Sequence, residues 1–476
     1  MGSPPSLMQL PSETPSSLPQ QCSFSPPSSI LIVGSGAFGL STAWALARRD
    51  AFSQCSITIL DRSDPSKPDV FLARDAASID TSRIIRADYS DPAYAALAVE
   101  AQLEWRKQAE PTDLGAQGRY NESGLIVVAD PVPDTALPAK TGMEYVRSSW
   151  MNVLELSTDN SPRIEELTNP EAIRDKLGTG GSSGSWGYYN AGSGWADAEG
   201  SMTWLVSQVQ ETGRVKFISG NVVSLQHSDI RVTGVQLSNG TIISGDLVIV
   251  AAGAWTGGLV DVFGQATATG QVLGYLELTE AEQEELGKMP VVLNLTSGVF
   301  IIPPRNRILK VARHAYGYLN PTTLSPLSSP NAATTGPVSY PLTQVSEPNL
   351  KIPQEGANDL RRALAEIVPL PGLAERRFMR TRLCWYSDTP TADFLIDYHP
   401  TWLGLFVATG DSGHAFKFLP VIGEKIVDCI MHNCPAEFLG KWNWKSAATS
   451  IVTQDGSRGG TAGLVLSDEL RDAAEY

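Results

Sequence analysis

Four side chains capable of chemistry lie inside apolar stretches of the sequence. Cys384 stands in RLCWYSDTP, Lys310 ends the run RILK, and two arginines lie three apart in SRIIR, as Arg83 and Arg86. A thiolate becomes a nucleophile when a nearby cation such as Arg382 lowers the pKa of the thiol. Burying a lysine in an apolar strand costs free energy unless the lysine has a function or reaches the surface. An arginine presents a planar, two-pronged donor to a carboxylate. The alternatives are a structural cysteine, a solvated strand-end lysine and two surface arginines.

A glycine-rich turn near the start of the chain predicts an element that could hold a cofactor. Residues 30–49, ILIVGSGAFGLSTAWALARR, are typical of a strand, a turn and a helix. Gly34, Gly36 and Gly39 fit the spacing G-x-G-x-x-G. The first glycine makes the turn, the second lets the backbone approach a pyrophosphate, and the third lets the helix pack on the strand. Asp61 ends the next strand, where an acid can accept the ribose hydroxyls.

The same stretch allows a membrane span as an alternative, because residues 29–47 carry no charge. Three glycines in six residues would interrupt such a helix, and the chain has no other long apolar run to make a bundle. A second stretch, GDLVIVAAGAW at 245–255, is a strand that runs into Gly253. Alone it indicates only a buried strand and a turn, but with the fingerprint it favours a nucleotide-binding sheet.

Composition and charge exclude several classes of function. The net charge of −15 over 476 residues argues against a nucleic-acid binder or a peripheral protein on an anionic membrane, since both need a basic face. The five cysteines are odd in number and widely spread, so they predict no disulfide framework or metal site and favour a reducing compartment. No secretory signal is evident, and the final residues AAEY lack the peroxisomal Ser-Lys-Leu ending. We expect a cytoplasmic protein, with a peroxisomal location left open.

The order of predicted elements indicates two interleaved domains. Strands alternate with helices at the start, while hairpin-rich stretches such as the one around SNG (238–240) fill the middle. This order predicts an α/β fold, in which a doubly wound Rossmann-type domain is interrupted by an inserted antiparallel-sheet (α+β) substrate domain. Residues 319–353, rich in Pro, Ser and Thr, predict an ordered lid or a mobile insert. The predicted segments are a disordered Pro/Ser-rich tail (1–28), the Rossmann-type domain (29–118, 196–262 and 378–445), the substrate domain (119–195 and 263–377) and a weakly ordered C-terminal tail (446–476).

These stretches together resemble the glycine/D-amino acid oxidase superfamily of flavoproteins. Within it, the chain is most similar to the branch of monomeric sarcosine oxidase, L-pipecolate oxidase, L-saccharopine oxidase and fungal fructosyl amino acid oxidases, over roughly residues 29–440. The resemblance implies that the Rossmann-type domain binds FAD and that Cys384 is bonded to the flavin 8α-methyl carbon. Besides the fingerprint, it is carried by SIDTSRIIRADYSDPAYAALA (78–98), ILKVARHAYG (308–317), RLCWYSDTPTADFLIDYHP (382–400) and ATGDSGHAFKFLPVIG (408–423).

The resemblance also implies a role for each candidate residue. Lys310 assists the reaction of reduced flavin with oxygen, and the other catalytic residues are His314 on the substrate side and Arg83 near the flavin ring. Arg86 and Lys417 hold the substrate carboxylate. The residues implied in cofactor binding are Gly34, Gly36, Ala37, Phe38, Asp61, Arg62, Ser82, Arg83, Val222, Gly253, Trp255, Cys384, Gly410, Gly413, His414, Phe416 and Lys417.

Four positions bear on the choice of substrate within this branch. By resemblance, Tyr386 matches a substrate-binding tyrosine. The sarcosine enzymes have a second pocket tyrosine near residue 300, where this chain has Phe300. Arg83 and His414 both depart from the pattern of the fructosyl amino acid oxidases, which tend to have lysine and arginine there. The resemblance therefore favours the sarcosine, pipecolate and saccharopine side and leaves the exact amine open.

The implied function is an FAD-dependent oxidase of a secondary amine or N-alkyl amino acid, acting on a CH–NH bond. Hydride passes from a C–N carbon to flavin N5 and leaves an imine, and oxygen reoxidises the flavin to hydrogen peroxide. No metal is required, since the cofactor carries the chemistry. The partners are a small-molecule amine or amino acid and oxygen, without nucleic acid or membrane, and we expect a monomer. The alternatives are a specialised-metabolism flavoenzyme that oxidises an N-methyl or cyclic amine to an imine that cyclises, an amine dehydrogenase, and a flavin-binding protein without turnover.

Overall fold

The computed structural model describes residues 24–63, 73–132, 140–158, 163–327, 336–446 and 453–471. Of the predicted N-terminal tail, residues 1–23 lie outside the described residues. The last part of that tail is already packed, because the ring of Phe24 lies 5.9 Å from that of Phe52. Ordered structure therefore precedes the first predicted strand by a few residues.

The described residues contain the following helices and strands, each numbered in chain order. The helices are α1 (Ala37–Arg48), α2 (Pro92–Trp105), α3 (Gly142–Glu155), α4 (Pro170–Leu177), α5 (Ala198–Glu211), α6 (Glu280–Leu286), α7 (Gln354–Ile367), α8 (Ile422–Ile430) and α9 (Leu466–Glu469). The strands are β1 (Ser29–Val33), β2 (Ser56–Asp61), β3 (Arg83–Ile85), β4 (Tyr120–Asn121), β5 (Leu125–Ala129), β6 (Ile164–Leu167), β7 (Trp186–Asn190), β8 (Gly194–Ala196), β9 (Val215–Ser219), β10 (Val222–Ser228), β11 (Arg231–Leu237), β12 (Ile242–Ser244), β13 (Leu247–Val250), β14 (Thr267–Glu277), β15 (Val291–Asn294), β16 (Val299–Arg305), β17 (Ile308–Arg313), β18 (Pro321–Thr322), β19 (Val338–Ser339), β20 (Arg380–Asp388), β21 (Leu395–Tyr398) and β22 (Leu405–Thr409).

A six-stranded sheet carries the glycine-rich turn. Its strands lie in the order β21-β22-β13-β1-β2-β9, and all neighbours are parallel except β21 and β22. The central strands are continuous apolar runs, as expected where a parallel sheet is covered on both faces. Since β1, β2 and β13 end at Val33, Asp61 and Val250, the loops that follow them meet at one edge of the sheet. The predicted Rossmann-type domain is confirmed.

Different layers cover the two faces of this sheet. Ile30 and Ile32 of β1 pack into a core with α1, α5 and α8, while Leu31 and Val33 face an antiparallel sheet of β10, β11 and β12. The alternation along β1 therefore places helices on one face and a small sheet on the other. The hairpin predicted around residues 238–240 is the connection between β11 and β12. Among the described residues, no helix is long and apolar enough to cross a membrane.

An eight-stranded sheet forms the second, predicted antiparallel domain. Its strands lie in the order β20-β14-β17-β16-β15-β5-β7-β6, and only β15 and β5 are parallel. One boundary differs from the prediction, which gave residues 378–388 to the Rossmann-type domain. In the structure β20 is the edge strand of the eight-stranded sheet, and it pairs with β14 from Asp388 opposite Thr267 to Arg380 opposite Tyr275. An apolar strand pattern indicates a strand but does not identify its partner, which is why the sequence misplaced it.

The C-terminal segment, residues 453–471, differs from the weakly ordered tail that its composition predicts. It runs beside the chain that follows β17, where Gly459 bridges to Ala315 and Val465 bridges to Leu319. Leu466 is almost fully buried. The segment is polar and rich in glycine, so its order comes from tertiary contacts that composition does not reveal. Residues 447–452 and 472–476 of the predicted tail lie outside the described residues.

The Pro/Ser/Thr-rich insert, residues 319–353, is an ordered excursion over its described part. β18 and β19 form a short antiparallel pair, and the Thr343 hydroxyl donates a hydrogen bond of 2.8 Å to Asp75. Residues 328–335 lie outside the described residues. The insert therefore packs on the loop that precedes β3.

Candidate active site

A large cavity opens at the edge of the six-stranded sheet where β1, β2 and β13 end. Its volume is about 930 Å³, near the upper end of the ~300–1,000 Å³ typical of ligand sites. The wall combines the glycine-rich turn, the loops after β2 and β13, and part of the insert. The predicted cofactor-binding residues that line it are Gly34, Gly36, Ala37, Phe38, Asp61, Arg62, Arg83, Val222, Gly253, Trp255, Gly413 and Phe416.

The glycine-rich turn has the geometry that a phosphate cradle needs. Gly34 has φ of +108°, and a Cβ there would lie 2.4 Å from the carbonyl oxygen of Ala251. A Cβ on Gly39 would lie 1.9 Å from the Gly34 carbonyl oxygen. Gly36 borders the cavity instead, since the nearest atom to a Cβ there would be Ser78 Oγ at 3.9 Å. Gly34 and Gly39 are thus needed by the fold, while Gly36 leaves the backbone open to a ligand.

The rim of the large cavity is held by short polar contacts. Asp61 accepts hydrogen bonds from the backbone N–H groups of Ser35 at 2.7 Å and Ser63 at 2.9 Å, so its carboxylate lies at the mouth of the turn. The Arg62 guanidinium lies 4.3 Å from the Trp255 ring centroid. Open backbone, a helix N-terminus and a carboxylate together suit a pyrophosphate and a ribose.

A small cavity of about 70 Å³ adjoins the large one on the side of the eight-stranded sheet. Four residues line both cavities, namely Arg83, Tyr386, Gly413 and Phe416. A cofactor in the large cavity and a substrate in the small one would therefore meet at these residues. The other residues that line the small cavity are Ile84, Arg86, Leu273, Leu293, Phe300, Lys310, Ala312, Arg313, His314, Cys384, His414 and Lys417.

Lys310 lies in a buried charge cluster around Asp80. Its Nζ lies 2.8 Å from Asp80 and donates to the Ser82 carbonyl at 2.7 Å. Arg83 also pairs with Asp80, and the Tyr275 hydroxyl donates to it at 2.7 Å. Burial disfavours the Asp80 carboxylate, but Lys310 and Arg83 outweigh burial and hold the pKa of Asp80 well below its usual range. Burial also lowers the pKa of Lys310 to about 8, with Asp80 opposing and Arg83 adding to the change.

Cys384 lies on β20 and lines the small cavity. Its Sγ lies 3.7 Å from Nη2 of Arg83. Arg382, the cation that the sequence indicated, instead donates to the carbonyls of Ile79 and Ala76, the latter at 2.7 Å. The guanidinium beside the thiol is therefore that of Arg83, which also lines both cavities. A positive charge beside the sulfur is a feature of reactive cysteines.

Arg86 lies in the wall of the small cavity as a buried cation. Its guanidinium carbon lies 4.7 Å from the Tyr89 ring centroid and 6.0 Å from that of Tyr145. Nη1 of Arg86 is buried and has no hydrogen-bond partner among the described residues. A buried donor without an acceptor costs about 1–3 kcal/mol, and more when it is charged. Such a donor at a cavity wall indicates a site for an anion.

Lys417, Tyr89 and His414 form a hydrogen-bonded chain beside Arg86. The Ala392 carbonyl can only accept, so Nε2 of His414 donates to it at 2.8 Å and Nδ1 is left to accept from the Tyr89 hydroxyl at 3.0 Å. Lys417 then donates to Tyr89 at 2.9 Å and to the His414 carbonyl at 2.7 Å. Burial and the neighbouring Arg86 hold the pKa of Lys417 well below its usual range, and Asp88 opposes this. A carboxylate in the cavity would restore the full charge of this lysine.

His314 follows β17 and contacts the C-terminal segment. Nη1 of Arg458 lies 3.0 Å from Nδ1 of His314 and also contacts Nε2. Nη2 of Arg458 pairs with Asp388 at 2.6 Å and donates to the Ser412 carbonyl at 2.7 Å. Burial, then the charges of Arg458 and Arg86, hold the pKa of His314 well below its usual range. The ring is therefore neutral at physiological pH.

Several predicted cofactor-binding residues lie elsewhere than on the large cavity. Ser82 lines neither cavity, but its carbonyl accepts from Lys310. Gly410 also lines neither, and its φ of +71° turns the chain beside Thr389. The 410–418 loop ends in a 3₁₀ turn over Ala415–Phe418, and α8 begins only at Ile422. The remaining predicted members, Cys384, His414 and Lys417, line the small cavity only.

The sequence analysis missed four residues of the site, Asp80, Tyr89, Asp388 and Arg458. The first three stand inside the stretches 78–98 and 382–400, which carry the family resemblance. Each is an acid or a phenol close in sequence to a predicted cation, and this proximity could have identified them. Arg458 has no such signal, because it lies in the glycine-rich C-terminal segment, far from every motif. Only the tertiary structure brings it to His314.

Comparison with known proteins shows which family and which solved structures this chain is similar to. A family model described as DAO, FAD dependent oxidoreductase, matches residues 29–429. Amino acid oxidase imqH of Aspergillus flavus is 33% identical over 457 residues, which cover 86% of this chain and 93% of that protein. L-saccharopine oxidase of Schizosaccharomyces pombe is 30% identical over 433 residues, covering 87% and 93%. Among solved structures, the fructosamine oxidase Amadoriase II of Aspergillus fumigatus superposes with a TM-score of 0.73 at 28% identity, covering 94% of this chain and 97% of that one.

Proposed function

The chain belongs to the DAO family of FAD-dependent oxidoreductases, and from this premise we propose that it is an oxidase of a secondary amine or N-alkyl amino acid. The observation that carries the proposal is Arg86. Its buried Nη1 has no hydrogen-bond partner among the described residues, and it shares the small cavity with Lys417. The carboxylate of an amino acid supplies the missing acceptor. Relatives that match most of this chain are named for the oxidation of amino acids and of saccharopine.

The residues of the large cavity fit FAD. Gly36 leaves the backbone open to a pyrophosphate, the N-terminus of α1 supplies N–H groups, and Asp61 supplies a carboxylate for a ribose. When bound, FAD accepts two electrons from the substrate and passes them to oxygen, which yields hydrogen peroxide. In this proposal the Cys384 thiol would be joined to the flavin 8α carbon as a thioether, with loss of the S–H hydrogen and one 8α C–H hydrogen and with the two electrons passing to the flavin and then to oxygen. The support is its place in the wall of the small cavity, 3.7 Å from the guanidinium of Arg83, which lines both cavities.

Arg86 and Lys417 anchor the substrate carboxylate in the small cavity. Nζ of Lys417 contacts a hydroxyl and a carbonyl, which are weaker partners for an ammonium group than a carboxylate is. Two cations at one end of the cavity fix the orientation of the amino-acid head group. Because the small cavity adjoins the large one, the C–N carbon of an anchored substrate lies within reach of the cofactor.

The rest of the small cavity favours an amine that has already lost its proton. Leu273, Leu293 and Phe300 give it an apolar wall, and Arg86 and Lys417 bring positive charge. Low polarity and neighbouring cations both disfavour an ammonium group. Only a free amine can surrender hydride, so the site selects the reactive form of the substrate.

Lys310 assists the return of electrons to oxygen. It is buried at the small cavity within the Asp80 cluster, and its pKa of about 8 leaves it charged at neutral pH. An ammonium group fixed beside the cofactor stabilises the negative charge that develops on oxygen. This favours an oxidase over an amine dehydrogenase.

The alternative is a specialised-metabolism flavoenzyme that oxidises an N-methyl or cyclic amine to an imine that cyclises, and an insert that shaped the substrate pocket would favour it. The described residues of the insert that line a cavity, among them Leu324, Tyr340 and Thr343, line the large one. They do not line the small cavity. The insert thus gives this alternative no support, and we propose the simpler oxidase.

The proposal is tested by flavin retention and peroxide release. Wild-type protein should be yellow, keep its flavin after acid precipitation, and release hydrogen peroxide with at least one of sarcosine, pipecolate and saccharopine. Cys384→Ala should release its flavin into the acid supernatant, because the covalent link is gone. The matched control, Cys434→Ser, replaces a half-buried cysteine away from both cavities and should behave as wild type.

Each outcome separates one part of the proposal from another. A colourless protein, or a yellow one that releases no peroxide with any amino acid carrying a secondary amine, would overturn the oxidase function. Flavin that leaves the wild-type protein in acid would overturn the covalent link through Cys384 alone. Peroxide without dependence on the substrate carboxylate would contradict the role of Arg86.

A further inference from the structure

The C-terminal segment reaches the wall of the small cavity. The Thr453 hydroxyl donates to the Thr389 carbonyl at 2.9 Å. Gly459 lies so close to the loop before β16 that a Cβ there would lie 2.3 Å from the backbone nitrogen of Gly298. The segment is fixed on both sides of Arg458, which is itself buried. Arg458 is therefore delivered to the site by a part of the chain that no active-site motif includes.

Arg458 uses its two terminal nitrogens for different partners. Nη2 pairs with Asp388 at 2.6 Å and donates to the Ser412 carbonyl at 2.7 Å. Asp388 is held in turn by the Thr269 hydroxyl, which donates to it at 2.6 Å. Nη1 contacts the ring nitrogens of His314. The guanidinium is thus anchored on an acid and presents N–H to the imidazole.

An imidazole that accepts a hydrogen bond from a guanidinium must be neutral. A neutral ring has one nitrogen with a lone pair and one with a proton, and a guanidinium can only donate. The single lone pair of His314 is therefore taken by Arg458, and the ring proton lies on the other nitrogen. The further groups that face His314 come from the segment after β3, the 3₁₀ turn and β20, and they are Arg86, His414, Lys417 and Tyr386.

We propose that Arg458 is a positioning residue of the active site, which holds His314 as a neutral imidazole with an occupied lone pair so that His314 cannot take a proton from the substrate amine. This inference rests on the proposed function, since it assigns how the substrate-side histidine of that site behaves. It makes the C-terminal segment part of the active site. The amine must then reach the cavity already deprotonated, which agrees with the apolar and cationic wall.

The direct test is the protonation state of His314 in the full-length, flavin-loaded protein. The chain has five histidines, so a ¹⁵N-histidine spectrum is simple, and His314→Asn identifies the signal of His314. From about pH 5 to about pH 8, the range in which histidine ordinarily titrates, the wild-type signals of His314 should stay those of a neutral ring. In Arg458→Met the His314 ring should begin to gain a proton at a higher pH than in wild type, because the guanidinium charge is gone while burial and Arg86 still lower its pKa.

A second variant guards against a folding defect. Arg458→Met leaves Asp388 buried without its partner, which is destabilising. The double variant Asp388→Asn with Arg458→Met removes both charges and should fold, and the pKa of His314 should rise above its wild-type value in it as well. The matched control is Arg471→Met in the same segment. Arg471 is largely exposed and pairs with Asp468 at 2.8 Å, so His314 should remain neutral in this variant.

The pH dependence of turnover separates a positioning role of Arg458 from a purely structural one. In Arg458→Met or the double variant, kcat/KM should fall about tenfold or more, since small misplacements near the reacting groups have such effects. A new decline should appear at low pH, where His314 gains a proton beside Arg86 and Lys417. A titrating His314 in wild type, or an unchanged pH profile in folded variants, would overturn the inference. If wild type shows no amine oxidation but the spectra behave as expected, the proposed function fails and the placement of His314 stands.

Discussion

The two adjoining cavities of this protein are built by different means. The large cavity lies where parallel strands end, and its wall includes glycine-rich backbone such as that of Gly36. The small cavity is lined by long charged side chains, among them Arg86, Lys310 and Lys417, which come from separate parts of the chain. A sheet edge fixes the first, whereas a balance of buried charges fixes the second.

This difference decides which substitutions matter in each cavity. Backbone donors cannot be removed by a side-chain change, so the large cavity is sensitive mainly to added bulk. In the small cavity, the side chains of Arg86, Lys310 and Lys417 are buried, and each contacts only a few partners. Removal of one such side chain therefore leaves its buried partners without a counter-charge. We expect the largest effects on turnover from the small cavity and the clearest steric effects from the large one.

The largest effect should come from Arg86→Met. The variant loses the buried donor for the substrate carboxylate, and kcat/KM should fall by about a hundredfold or more, since removal of one member of a buried charge pair costs ~2–5 kcal/mol. Steady-state peroxide release with a carboxylate-bearing amine measures it. Lys107→Met, which removes an exposed lysine paired with Glu104, is the matched control and should leave turnover unchanged. An equal loss with an amine that lacks a carboxylate would contradict the assigned role.

The next effect concerns Lys310 and the return of electrons to oxygen. Lys310→Met should slow reoxidation about 10²- to 10³-fold, the range expected when one preorganised electrostatic group is removed. Because the pKa of Lys310 is about 8, the wild-type lysine is charged below that pH and loses its charge as pH rises through it. Wild-type reoxidation should therefore slow above about pH 8, and the variant should lack this dependence. Stopped-flow mixing of the reduced protein with oxygen measures the reoxidation rate and its pH dependence. A variant with the wild-type pH profile would exclude Lys310 as the group responsible for that dependence.

The glycine-rich turn and the strand ends of the large cavity could be predicted from the sequence. Their residues follow local rules, because a glycine spacing fixes a turn and parallel strands end at one edge. The structure places Gly34, Gly36 and Asp61 as the fingerprint predicts. The insert that completes the wall was not foreseen, because Thr343 meets Asp75 only through tertiary packing.

The small cavity could be predicted only in part. Arg86, Lys310 and Lys417 stand in recognisable stretches, and all three line it. Their partners were missed, because the choice of a buried counter-charge such as Asp80 depends on which chain segments meet. Arg458 shows the limit most clearly, since nothing local separates it from an ordinary arginine in a polar tail.

Two glycine substitutions test whether the large cavity is truly a backbone site. Gly36→Ala should fold normally but bind flavin about tenfold more weakly before attachment, since its methyl group occupies space toward the ligand and costs the equivalent of one hydrogen bond. It should therefore lower flavin incorporation more than it loosens flavin already attached. Gly34→Ala should already impair folding, because its Cβ would lie 2.4 Å from the Ala251 carbonyl oxygen.

Flavin absorbance per protein and thermal unfolding of the apoprotein separate these two effects. Gly336→Ala is the matched control, because a Cβ there meets nothing within 4 Å. Its unfolding free energy should stay within about 0.5 kcal/mol of wild type. If Gly36→Ala loads flavin as well as Gly336→Ala does, the backbone at residue 36 is not the phosphate cradle.

The smallest effect should come from the apolar wall of the small cavity. Phe300 is mostly buried, and Nζ of Lys310 lies 5.6 Å from its ring centroid. Phe300→Tyr adds a hydroxyl that must find a partner there, at a cost of about 1 kcal/mol when it is imperfectly paired. KM for an apolar amino acid such as pipecolate should rise about threefold to fivefold, with little change in kcat. The control Phe263→Tyr alters an exposed ring and should change neither constant. If Phe300→Tyr instead lowers kcat a hundredfold without raising KM, this wall belongs to the charge-balanced chemistry of the small cavity rather than to its shape.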